Sequence, residues 1–318
     1  MPLPEKSLIT RIRKQVPKRR EVVAGIGDDC AVLAVPQGHE VLVTTDFSLE
    51  GTHFRREWYT AEMVGHNCLL RGLSDIAAMG GEPAAAFLSL ALPVELSQQW
   101  VDDFMRGLLR LAKRYKVTLA GGDTAQSGAG VLADIAVLGY APRGTAIRRS
   151  GARPGDRIYV TGELGGPAAA LDLLRTGKRL QADRRARHWR REPRIQAGRV
   201  VRREGLASAM IDISDGFSTD LGHICEESNV GAEIEAAAIP RARLGGHRVN
   251  LEFALHGGDE YELIFTARKG KKIPKQIAGV RLSKIGQIVR GRGILLLTEP
   301  RKRAELEPRG WEHFRKDM

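Results

Sequence analysis

Five short acidic motifs constrain this chain more than any other feature: GIGDD (25–29), TTD (44–46), LSD (73–75), GGD (121–123) and DISDG (212–216). Each stands where an apolar run ends or a helix begins. A carboxylate at the end of a buried strand is exposed at a sheet edge, and ligands of open α/β sheets bind at such edges. Carboxylates that converge there without partners repel one another and need cations. The pattern therefore predicts a strand-and-helix series that delivers acids to a cation site.

The runs between the motifs supply that series. VLVTTD (41–46) and AAAFLSLALP (84–93) read as strands, separated by a helix over 60–79 that starts at Thr60. Ser97 opens a second helix, with Trp100, Phe104, Leu108 and Leu111 at roughly the helical period. VTLAGGD (117–123) and residues 131–140 are further strands. RRSGARPGD (148–156), rich in Gly, Pro and Arg, marks a domain junction, giving domains 1–147 and 148–318. A second series follows. RIYVTG (157–162) is a strand, and Gly165-Gly166-Pro167 opens a helix. AMIDIS (209–214) is a strand, and the helix after Gly216 runs to about Asn229. AEIEAAAI (232–239), YELIFTA (261–267), IGQIV and GILLLT complete the strands. A length of 318 residues fits two domains at about 150 residues each.

Composition narrows the class. Hydrophobic residues are 42% and charged residues 28%, as in an average soluble globular protein. Cys30, Cys68 and Cys225 form no CxxC pair, which excludes a zinc ribbon and a disulfide framework. All three are expected to be buried and inert. The N-terminus carries no apolar signal core, and no apolar run is long enough to span a bilayer. A cytoplasmic protein is expected.

The net charge is +12, and it is unevenly placed. Residues 175–204 hold twelve Arg or Lys against three acids, and 268–292 hold nine against none. Such surfaces attract phosphorylated ligands or nucleic acid. Only Trp189 interrupts the first stretch with an aromatic, so a single-strand-binding groove is not expected.

The donor chemistry is all oxygen. There is no HExxH and no histidine cluster for zinc, and no loop of EF-hand spacing for calcium. Mg²⁺, which takes a few carboxylates plus phosphate oxygens, fits best and implies a polyphosphate such as ATP. Neither G-x-x-x-x-G-K-[ST] nor G-x-G-x-x-G is present. The phosphate cradle is therefore assigned to backbone amides at Gly121-Gly122, aided by Arg148 and Arg149. Taken singly, each motif also has a local reading. Asp215 suits a helix N-cap, Asp75 a solvated helix face, His53 an ordinary hydrogen-bonded histidine, and Trp311 a residue packing the tail.

Taken in order, the segments say more. GIGDDCAVL, TTDFSLEGTHF, LSDIAAMGGEP, LAGGDT, RRSGARPGDRIYVTGELGGPAAAL, IDISDGFSTDLGHI, HGGDEYELIFT and RGWEHF run across nearly the whole chain. Together they resemble the thiamine-monophosphate kinase family, in the superfamily of aminoimidazole ribonucleotide synthetase and selenophosphate synthetase. The resemblance implies a two-domain α/β fold. An N-terminal mixed-sheet domain pairs in a homodimer, and active sites lie between domains. It implies Mg²⁺-dependent transfer of the ATP γ-phosphoryl group to thiamine monophosphate. It assigns metal ligation to Asp29, Thr44, Thr45, Asp46, Asp75, Asp123, Asp212 and Asp215, with Asp28 adjacent. Gly122, Asp123, Arg149 and Ser214 become nucleotide contacts, and His53, Asp259 and Trp311 contacts to the thiamine phosphate. Asp259 suits either the positive ring or the aminopyrimidine. Some positions depart from the family pattern: Phe47-Ser48, Asn67-Cys68, Arg71-Gly72 and the order Asp259-Glu260. Two other readings compete: another ATP-dependent phosphate-activating enzyme of the superfamily, and a basic nucleic-acid-binding protein on a degenerate kinase fold.

Overall fold

The computed structural model describes residues 3–17, 19–27, 29–177, 191–299 and 302–314. Asp28, Trp189 and part of the Arg-rich stretch lie outside the described residues. The chain divides into two compact units, Met1–Ile76 with Gly81–Gly144, and Ala77–Gly80 with Thr145–Met318.

The first unit is built on β3 (His39–Leu49), β4 (Glu82–Pro93), β5 (Thr118–Ser127) and β6 (Leu132–Pro142), ordered β3-β6-β4-β5. β4 and β5 are parallel, and β6 runs antiparallel to both neighbours. α2 (Ala61–Ala78) and α3 (Gln98–Tyr115) are the crossovers. α3 starts where the sequence places it, because the Ser97 hydroxyl accepts the Trp100 N–H at 3.2 Å. It stops at Lys116, which is left-handed with φ 60°. Phe104, Leu108 and Leu111 of α3 are buried, as are Leu69, Leu70 and Leu73 of α2. The two helices touch backbone to backbone. A Cβ on Gly65 would overlap the Phe104 carbonyl, and one on Gly107 the Glu62 carbonyl. α1 (Glu5–Gln15) is fixed beside them by Arg11, which donates to both Asp102 oxygens at 2.8 and 2.6 Å. β1 (Val22–Ala24) and β2 (Val32–Leu33) pair around the GIGDD turn.

The second unit holds a larger sheet. Its main path is β16 (Lys302–Glu305), β15 (Ile294–Glu299), β9 (Gly231–Glu235), β14 (Val280–Val289), β7 (Arg157–Thr161), β12 (Leu263–Ala267) and β8 (Ala209–Asp212). Only β9 and β15 run parallel along this path. Among the described residues this unit also holds α4 (Gly166–Arg175), α5 (Ile195–Arg203), α6 (Phe217–Ser228) and α7 (Leu251–His256), the hairpin β10 (Arg243–Leu244) and β11 (His247–Arg248), and β13 (Gln276–Ile277). Ile158, Val160, Ile211, Phe217, Leu221, Ile264 and Ile285 form the core, each at most 2% exposed.

Three expectations are corrected. The strand over 232–239 ends at Glu235, and Ala236–Ala238 turn into a 3₁₀ helix. The strand over 261–267 begins at Leu263, because Tyr261 has φ 56° and cannot lie in a ladder. Cys68 and Cys225 are buried, but Cys30 is exposed. Among the described residues no helix is long and apolar enough to cross a membrane.

Candidate functional site

In the first unit the strand pleat sorts the TTD motif. Thr44 and Asp46 share one half-buried face of β3, and Thr45 points out on the other. The Thr45 side chain is therefore not brought to the carboxylates, and only its backbone follows the same edge. Asp75 lies on α2, and its Oδ2 accepts a short hydrogen bond from Thr44 Oγ1. Gly72 lets that helix lie close, since a Cβ there would press the Val137 side chain and come within 3.6 Å of the Thr44 methyl. Asp75 is thus tied to the strand and is not a free solvated helix residue. Asp46 is among the charges around Cys68, whose thiol is pushed up to about 12 chiefly by burial. That cysteine is inert.

Asp29 and Asp123 line one pocket of about 700 Å³, together with Gly121, Gly122 and Thr124. Its other wall is apolar, with Ile9 and Ile12 of α1. Asp123 is held by its neighbour, since the Thr124 N–H donates to Oδ1 at 2.8 Å. The glycine pair has a packing reason of its own. Gly122 has φ 148°, and a Cβ there would overlap the Leu88 carbonyl oxygen of β4. Strand contact alone demands a glycine at this position, whether or not phosphate lies against it. Exposed Cys30 lines the same pocket. His53 sits in the turn after β3, where its Nδ1 accepts the Leu49 N–H at 3.0 Å. A neutral His53 therefore carries its proton on Nε2.

In the second unit the acids sit at a strand end, inside a helix and on loops closed by backbone hydrogen bonds. Asp212 ends β8 and is 3% exposed. Asp215 does not cap the next helix: α6 starts after Gly216, with no side-chain cap. Asp220 does that work from inside the helix. Its Oδ2 accepts the N–H groups of Ser214, Asp215 and Gly216 at 3.1, 3.2 and 3.0 Å. Burial, with the nearby Asp212 and Asp215 charges, pushes the Asp220 carboxyl well above its ordinary range. Burial also raises Asp215, against the pull of His223, His313 and Arg149. Asp215, Asp220 and His223 place ligand atoms within 4.8 Å of one another. Asp220 and His223 are the residues that motif reading missed. Their signal is the i, i+3 spacing in DLGH just after DISDG.

Two further segments meet the DISDG loop. The Asp259 N–H donates to the Ser214 carbonyl at 2.7 Å, and the Tyr261 N–H to the Ile213 carbonyl at 2.8 Å. The Trp311 N–H donates to the Asp215 carbonyl at 2.9 Å. Trp311 does not pack the tail down, because its side chain is half exposed beside His313. Arg149 is exposed, and the Ser228 hydroxyl donates to its carbonyl at 3.3 Å. Ser214, Asp215, Asp259 and Trp311 are thus joined through main-chain atoms. Behind them lies a buried acid pair. Glu262 accepts from Arg194 and Thr161, and Glu260 accepts the Gly165 N–H at 2.5 Å.

Residues 27–141 match the model of the AIR synthase related protein N-terminal domain, and residues 153–297 that of its C-terminal domain. A thiamine-monophosphate kinase of Salmonella typhimurium is 36% identical over 324 residues, covering 98% of each chain. The chain belongs to the thiamine-monophosphate kinase family. A solved thiamine-monophosphate kinase from Stenotrophomonas maltophilia K279a superposes with a TM-score of 0.81 at 36% identity, covering 94% of this chain and 98% of that one. AaThiL complexed with AMPPCP and TMP gives 0.76 at 30%, covering 97% and 96%. Against the thiamine-monophosphate kinase pattern, the departures at Asn67 and Cys68 fall on buried positions of α2. Gly72 serves the helix–strand contact described above.

Proposed function

We propose that this protein transfers the γ-phosphoryl group of ATP to thiamine monophosphate, giving thiamine diphosphate and ADP. The observation that carries the reading is the near full-length match to thiamine-monophosphate kinases, in a chain holding every motif aspartate. Asp29, Asp46, Asp75 and Asp123, with Thr44 and the Thr45 backbone, are the candidate Mg²⁺ ligands of the first unit. Asp212 and Asp215 are those of the second. The donor set fits a hard cation. It is all oxygen, and burial raises both Asp215 and Asp220, with the Asp259 charge adding at Asp215 and the Asp212 and Asp215 charges at Asp220, as expected where positive charge is wanted. When bound, Mg²⁺ supplies charge neutralisation at the phosphate oxygens.

The chain's own groups do the rest. Gly122 and Asp123 present backbone and carboxylate to the nucleotide, and Ser214 and Arg149 hold its phosphates. His53, Asp259 and Trp311 hold the acceptor, and the exposed Trp311 ring stacks on a cationic heterocycle. The acceptor is an ionised phosphate monoester, so no general base is required and positioning dominates. The protein acts in the cytoplasm, where ATP is supplied. It pairs with a second copy through the open face of β3, where Val43 and Phe47 are 64% and 54% exposed. A solution mass of twice 34.9 kDa checks that pairing.

The deciding experiment gives purified protein MgATP and thiamine monophosphate, with free thiamine as control acceptor. Thiamine diphosphate formed from the monophosphate alone is expected. A MgATP-dependent rise in melting temperature without product overturns the assigned acceptor, and the absence of both product and thermal shift sinks the kinase reading.

A further inference from the structure

The loop after α7 carries two non-glycine residues in the left-handed region, Asp259 at φ 64° and Tyr261 at φ 56°. Such conformations persist only where the surroundings over-determine them. Here the surroundings are explicit. Both residues donate their N–H groups to the DISDG loop, to Ser214 and Ile213. Tyr261 is 2% exposed, and its hydroxyl donates to Asp259 Oδ1 at 2.7 Å. The Arg191 guanidinium lies over the Tyr261 ring, 4.9 Å from its centroid, and its Nη2 is 3.8 Å from Asp259 Oδ2. The Arg191 side chain is 10% exposed and that of Asp259 is 32%. The strained backbone therefore delivers one partly open carboxylate, held by a buried hydroxyl and balanced by a largely covered cation.

That arrangement decides between two acceptor features. A carboxylate already facing Arg191 gains little from a second positive charge. It still accepts a hydrogen bond from a neutral N–H donor, provided its plane is fixed. We propose that Tyr261 is a positioning residue for acceptor recognition. It orients Asp259 to accept from the exocyclic amine of the acceptor's pyrimidine, not to pair with its cationic ring. The proposal rests on the kinase reading above and deepens it.

The test compares thiamine monophosphate with the analogue whose exocyclic amine is replaced by oxygen, in wild type, Tyr261→Phe, Asp259→Asn and the double variant. Phenylalanine keeps the ring under Arg191 and removes only the hydroxyl. Wild type is expected to prefer the amine. Tyr261→Phe should raise KM for thiamine monophosphate about tenfold, the worth of one well-placed hydrogen bond. Its kcat and its KM for ATP should hold, and the preference should fall by a similar factor. In the Asp259→Asn background, Tyr261→Phe should change the preference no further. Equal losses on both acceptors, a wild type indifferent to the amine, or independent effects of the two substitutions each overturn the proposal. No turnover by wild type would instead sink the kinase reading. Wild-type turnover with an unaltered Tyr261→Phe sinks only this inference.

Discussion

The two units hold their acids by different means. In the first, Asp46, Asp75 and Asp123 sit on β3, α2 and β5, and the pleat and the helix pitch decide where they point. In the second, Asp215 and Asp259 sit on loops held by main-chain bonds and by the buried acceptor Asp220. Regular elements aim side chains through periodicity alone, whereas a loop needs an internal partner to aim anything. The first arrangement tolerates loss of a ligand without loss of shape. The second couples shape to one carboxylate.

Removing charge on either side should have the largest effect. Asp46→Asn and Asp212→Asn should each lower kcat about 1,000-fold while leaving the far-ultraviolet dichroism of the folded chain unchanged. Activity near wild type in one of them would remove that aspartate from the metal ligands. Next come changes that remove support and keep the ligands. Asp220→Ala leaves three amides to find water and should cost about 2 kcal/mol in denaturant unfolding. It should also raise the Mg²⁺ concentration for half-maximal activity. Asp220→Asn, which keeps an acceptor oxygen, should recover part of both. On the first side, Gly122→Ala drives a methyl into the Leu88 carbonyl and should cost about 3 kcal/mol. An Asp220→Ala that loses stability without any change in Mg²⁺ dependence would dissolve the contrast.

The smallest effect concerns Glu260. Burial holds its carboxyl well above 4.5. A folded-state value above the unfolded one means that the folded chain keeps a proton which the unfolded chain releases. Glu260 therefore contributes stability below about pH 4.5, and that contribution is lost as pH rises towards its folded value. Glu260→Gln keeps an oxygen for the Gly165 N–H and has no proton to lose. Its stability relative to wild type should improve steadily from pH 5 to pH 8 in denaturant melts. A constant difference across that range would show that Glu260 ionises without penalty.

The sequence alone determined much here. The strands carrying TTD and GGD, the helix from Thr60 and the cap at Ser97 follow from periodicity and local hydrogen bonding, which act within a few residues. The ordered acidic motifs were enough to point to a phosphoryl-transfer family. Tertiary structure decided the rest. Thr45 is separated from Thr44 and Asp46 because a strand alternates its faces. Gly122 answers to a carbonyl on the neighbouring strand. The DISDG loop takes its shape from Asp220 and not from Asp215. Asp259 is aimed by a tyrosine two residues on and by an arginine 68 positions earlier. Each of these depends on a group brought close only when the chain has folded, and local propensity carries no record of such a neighbour.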